Sequence, residues 1–180
     1  AGRDLQPVSN RYPRTLHLIA QLPARRPAPS LHSRLDEYFE RLPACPQIED
    51  AIWNAWMHDG HEAAERALER AAADIAARRF DLAETRLAIL LRRRPDWAEA
   101  WNKRATLCYL MERDDESVEA IHRTLELEPR HFGALCGLGE IFRSRGETGS
   151  ALLAFGLALR VHPRLEGVRE ATRALRAEGR

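Results

Sequence analysis

The chain has 180 residues, 44% of them apolar and 31% charged, with a formal net charge of +1. That length suits one domain with a real hydrophobic core. The near-neutral charge excludes a global field for nucleic acid or an anionic membrane, and no apolar run approaches the roughly 18 residues of a membrane span.

Residues 1–29 differ from everything after them. They hold Pro7, Pro13, Pro23, Pro27 and Pro29, and five arginines (Arg3, Arg11, Arg14, Arg25, Arg26) against one acid, Asp4. The local charge is +4, against −3 for residues 30–180. Proline at this density predicts an extended arm with no long helix, in which only "TLHLIAQL" (15–22) offers a short apolar turn. Either the arm is a flexible tail, or contact orders it; its arginines then serve as contact residues, mainly on other subunits. The chain begins with Ala rather than Met, as a processed form or a fragment does. An arginine-rich, acid-poor leader points to import into a mitochondrion or plastid, with the bacterial periplasm as the alternative.

From Ser30 onward the pattern is helical, with no strand-like alternation. Ser30 is an N-cap candidate, and Leu31, Leu35, Tyr38, Phe39 and Leu42 share one helical face. "PACP" (43–46) stops that helix. Ile48, Ile52, Trp53, Trp56 and Met57 mark a second, ending at Asp59-Gly60, where glycine can adopt the left-handed cap conformation. Residues 30–63 thus form a divergent helical hairpin.

Downstream, Pro95, Pro129 and Pro163 recur every 34 residues. Ala83, Ser117 and Ala151 keep the same period as small residues, and Leu87, Ile121 and Phe155 keep it as bulky ones. Leu90, Thr124 and Ala158 follow three positions on. Trp101 matches Leu135, Ala105 matches Gly139, and Cys108 matches Phe142. A small residue lets the second helix of a pair approach the first, a bulky one fills the gap, and proline ends the unit.

This register resembles the tetratricopeptide repeat (TPR). The unit 132–163 carries the family's Leu135, Leu138-Gly139, Phe142, Ala151, Phe155, Ala158 and Pro163. The unit 98–131 keeps Trp101, Ala105, Ile121 and Pro129 but departs at Arg104, Cys108 and Ser117. An earlier unit, about 64–95, keeps Ala71, Ala83, Leu87, Leu90 and Pro95, with Asp74 where an aromatic is usual. The resemblance implies an all-α, right-handed solenoid of helix hairpins, and residues 164–180, with Leu165, Val168 and Leu175 on one face, read as its capping helix.

By the same resemblance the first helix of each unit lines a concave groove that grips peptides. The lining is Asn102, Lys103, Thr106 and Tyr109 from one unit, and Cys136, Glu140 and Arg143 from the next. Gly133 and Gly137 stand where chaperone-binding members place basic side chains, so a carboxylate clamp is not expected. Two function classes follow: a non-catalytic scaffold subunit held among other protein subunits by its arm, or an adaptor taking a peptide in the groove. RNA binding through related repeats is disfavoured by the charge.

The remaining clusters have structural readings. "LRRRPDWAEAWNKRA" (91–105) mixes arginines with two tryptophans, yet Arg92–Arg94 fall in a last helical turn, where cations suit the helix dipole, and Trp101 holds the repeat's Trp position. "HDGHE" (58–62) lacks the second histidine of an HExxH zinc site, and Gly60 breaks the helix between its imidazoles, so a turn is expected and no metal. His17, His32, His122, His131 and His162 are isolated, with surface or capping roles. "ERDDE" (112–116) reads as a solvated capping turn. The three cysteines are too scattered for a disulfide framework or a zinc site. With no nucleophile elbow, phosphate loop or paired carboxylates, a non-enzyme without cofactors is expected.

Overall fold

Three helix hairpins repeat along the computed structural model, which describes residues 11–26 and 34–179. Among these, the regular elements are all helical: α1 (Pro13–Gln21), α2 (Leu35–Arg41), α3 (Ile48–Trp56), α4 (Glu62–Ala76), α5 (Phe80–Arg93), α6 (Ala98–Leu110), α7 (Asp114–Leu127), α8 (Phe132–Ser144), α9 (Thr148–Val161) and α10 (Glu166–Glu178), with a short 3-10 turn at Leu22–Ala24. No described helix is long and apolar enough to cross a membrane.

Helices α4–α5, α6–α7 and α8–α9 are the hairpins, and each later first helix packs on the pair before it. The second helices begin at Phe80, Asp114 and Thr148, 34 residues apart. The turns obey the same period in their backbone. Arg78, Glu112 and Gly146 have φ of 57°, 59° and 71°. Each is followed by a residue whose N–H reaches five residues back: Arg79 to Asp74, Arg113 to Cys108 and Glu147 to Phe142, at 2.8–2.9 Å. These are Schellman-type ends. The left-handed region costs a non-glycine residue roughly 1–2 kcal/mol, so only the third hairpin has a relaxed residue there.

Packing within the hairpins explains the small-and-bulky register. Ala83, Ala151, Leu87 and Phe155 are fully buried, and the Phe155 ring lies so close to Gly139 that a Cβ at 139 would overlap it. Departures from the pattern are locally satisfied. Ser117 Oγ donates to the Ala105 carbonyl at 2.9 Å. Asp74, buried where an aromatic is usual, accepts from Arg79 Nε at 2.9 Å and Arg86 Nε at 2.7 Å. Helix α10 closes the array on α9, burying Thr172 and Leu175 beneath a charged outer face.

The N-terminal segment corrects one expectation. The described part of the arm is not extended: α1 is helical and folds back on its own array against α7 and α9. Pro13 and Pro23 bracket an uninterrupted stretch in which Thr15, Leu18, Ile19 and Leu22 share one helical face. Proline is well tolerated in a first turn. All four are buried, and the three apolar ones join the core cluster of Ile121, Leu125 and Phe155; burying each contributes roughly 1.5–3 kcal/mol. Helices α2 and α3 pack on each other, with Leu35, Leu42, Ile52 and Trp56 around Phe132 at the start of α8. Ser30 and Leu31 lie outside the described residues.

Candidate protein-docking groove

The first helices α6 and α8 present Asn102, Lys103, Thr106 and Tyr109 beside Cys136, Glu140 and Arg143, but α3 already covers one end of this surface. Trp53 sits against Gly133, where a Cβ would lie 2.5 Å from its ring. The Trp56 ring stacks on His131 with centroids 4.0 Å apart and planes 11° from parallel. Trp56 also offers its carbonyl to Trp97 Nε1 at 2.8 Å, and Glu49 takes a 2.7 Å contact from His162 Nε2. Gly133 is therefore a seat for an indole of the same chain.

Beneath α3 lies a buried charge cluster. Glu99, fully buried, meets His131 Nε2 at 2.8 Å and Lys103 Nζ at 2.8 Å. Asn102 Nδ2 donates to it at 3.3 Å. Burial pushes the Glu99 carboxyl up, but the hydrogen bond and charge of His131, aided by Lys103, outweigh it and hold the group below its ordinary range. His131 also accepts from Ala134 N–H at the start of α8, and Lys103 faces the Trp53 ring at 5.8 Å. Lys103 thus faces the seat of α3, and Asn102 meets the same carboxylate.

Past the end of α3 the groove is open. Thr106 and Tyr109 are exposed, and Arg143 reaches Glu140 at 2.6 Å on the surface. Between α6 and α8 a cleft of about 80 Å³ has Asn102, Thr106, Tyr109, Ile121, Gly133 and Gly137 among its lining residues. Cys136 is half-buried, and burial, then Glu140 and Glu49, push its thiol up to about 12. Burial thus favours its thiol form at neutral pH.

The arm arginines are divided. Arg11 pairs with Asp115 at 2.9 Å, and Tyr12 donates to the same carboxylate at 2.7 Å. These two hydrogen bonds, led by that of Arg11, hold Asp115 below its ordinary range. Burial, then that hydrogen bond, push Tyr12 up to about 12. Arg14, Arg25 and Arg26 are exposed, and Arg3 lies outside the described residues. The acidic turn 112–116 is therefore the anchor of the arm as well as a helix start. Its relation to Arg11 spans 104 residues, and nothing local in the sequence announces it.

The other clusters are structural too. Trp97 is buried, and Trp101 Nε1 donates to the Pro95 carbonyl at 2.8 Å. In "HDGHE", Glu65 accepts from the N–H groups of Asp59 and Gly60 at 2.9 and 3.0 Å, and Asp59 pairs with Arg94. Gly60 takes the left-handed conformation, φ 78°.

A TPR repeat-containing protein of Rhizobium etli is 31% identical to this chain over 145 residues, covering 77% of the chain and 71% of that protein. The chain belongs to the TPR family. No family model matches it. Its three TPR hairpins are of a kind that generally serves contact between proteins, which suggests protein partners.

Proposed function

We propose that this TPR chain is an adaptor that holds a short extended peptide of a partner protein in the open part of its groove. The observation that carries this reading is the cleft between α6 and α8, left uncovered beyond α3 with exposed Tyr109 at its rim. Its volume is below the roughly 150 Å³ that admits a benzene ring, so it suits one small aliphatic side chain. Thr106, Glu140 and Arg143 supply polar contacts around it. The alternative, a permanent scaffold subunit of a larger organellar complex, relied on an arm crossing neighbouring chains. Arg11 and α1 are engaged within their own chain instead, which favours the adaptor. For the compartment, the arginine-rich leader supports an organelle or the bacterial periplasm, and the bacterial source of the relative favours the second; fractionation of source cells decides.

Selection from a displayed peptide library tests the groove. Selected peptides should lose about tenfold or more in affinity on Tyr109→Ala, as a central aromatic anchor does. They should lose as much on Gly137→Leu, which fills the cleft. Peptides that bind both variants as they bind the parent chain would refute the assignment.

A further inference from the structure

The outer side of the first hairpin is the second surface that the fold leaves open. Leu82 and Ile89 on α5 are 49% and 42% exposed, the highest values among the described large apolar side chains. The 34-residue register shows why. Ala63 and Ala67 of α4 occupy the positions of Trp97 and Trp101, and Arg66 that of the fully buried Ala100. Later units plug bulky groups into the hairpin before them, whereas the first carries methyl groups there. Ile89 lies two periods before Leu157, which is buried in the same cluster as Leu18, Ile19 and Leu22 of α1. In the third hairpin that position is covered; in the first it is bare.

The outcome is a cleft of about 450 Å³ floored by Ala64, Ala67, Ile89 and Leu90 and rimmed by Arg86, Arg93, Arg94 and His61. No carboxylate is among its lining residues. Asp74 holds Arg86 and Asp59 holds Arg94, but Arg92 and Arg93 are exposed and have no ion-pair partner among the described residues. An apolar floor between two helices accepts a third helix, ridges into grooves. A cationic rim selects acids beside the apolar stripe. We infer that this face docks an amphipathic α-helix of a partner protein, apolar along one stripe and acidic on its flanks. The site is separate from the peptide groove and does not depend on it.

Two labelled synthetic 18-residue helical peptides test this by fluorescence anisotropy on the full chain. Both carry leucine at i, i+3, i+4 and i+7; one has glutamate flanks and the other lysine flanks. The glutamate peptide should bind, and the lysine peptide should not. Ile89→Glu should weaken binding by about tenfold or more, with circular dichroism unchanged because the position is exposed. Arg93→Glu should weaken the glutamate peptide and improve the lysine one, while Tyr109→Ala, which lies in the groove, should change neither. Equal binding of both peptides, binding of neither, or indifference to Ile89→Glu overturns the inference. Sedimentation that shows a dimer abolished by Ile89→Glu also overturns it, by giving the face to a second copy.

Discussion

Helices α1 and α3 are both nine residues long, and both lie on the TPR array formed by later parts of the chain. They are held by opposite means. α1 inserts aliphatic side chains into the shared core and keeps its ion pair, Arg11–Asp115, at the surface. α3 covers the groove side with indoles and rests on a buried carboxylate, Glu99, and two buried imidazoles, His131 and His162. Losing aliphatic contact costs in proportion to the area re-exposed. Breaking a buried charge pair also leaves an unpaired ion in a low-dielectric site. The two straps should therefore fail differently.

The largest effect is expected at the seat of α3. Glu99→Ala leaves Lys103 and His131 without their carboxylate and should cost about 3–5 kcal/mol in chemical denaturation. Glu99→Gln, which retains an acceptor, should cost less. On the other strap, Ile19→Ala removes a fully buried side chain and should cost about 2–5 kcal/mol. Near-identical losses for Glu99→Gln and Glu99→Ala would remove the electrostatic half of the contrast.

Smaller changes sharpen it. Gly133→Leu should dislodge Trp53, seen as new protease cleavage between residues 42 and 61 while the hairpins stay folded. Acid should discriminate as well. The carboxyls of Glu99 and Asp115 are held below their ordinary values in the folded chain. Their contribution is complete above the unfolded values near 4.5 and 3.8 and is lost as pH falls through the lower folded ones. Stability should therefore drop below about pH 4.5, and the drop should shrink in Glu99→Gln. The smallest effect is expected for Arg11→Ala, since both partners of that pair face solvent. A large shift in melting temperature there would show that the surface pair, rather than the apolar face, retains α1.

The repeats were readable because their physics is local: one hairpin's small-and-bulky spacing recurs every 34 residues, and its proline ends it. Even Asp74, out of pattern, sits within twelve residues of Arg79 and Arg86. The straps were not readable for the opposite reason. Counting prolines across residues 1–29 reduced "TLHLIAQL" (15–22) to a short turn, and the burial of Leu18 and Ile19 depends on α7 and α9, about a hundred residues away. In the groove, Thr106, Tyr109, Glu140 and Arg143 lie beyond the end of α3. Lys103 lies beside Trp53 of α3 and meets Glu99, and the pair that organises this seat, Glu99 and His131, is 32 residues apart in the chain. Gly133, one of three glycines in α8, was the available signal: a residue without a side chain in a helix invites a bulky neighbour.

That the straps come first in the chain matters while the protein is being made. Thr15 meets His122, and Glu49 meets His162 across 113 residues. At about 5–20 residues per second of synthesis, Trp53 and Trp56 emerge several seconds before His131 and His162 exist to receive them. During that interval the aliphatic face of α1 and both indoles are without their partners. A ribosome-bound chain stopped before residue 132 should therefore be the form of this protein most dependent on chaperones and most prone to aggregate, although its first hairpin already has its full sequence.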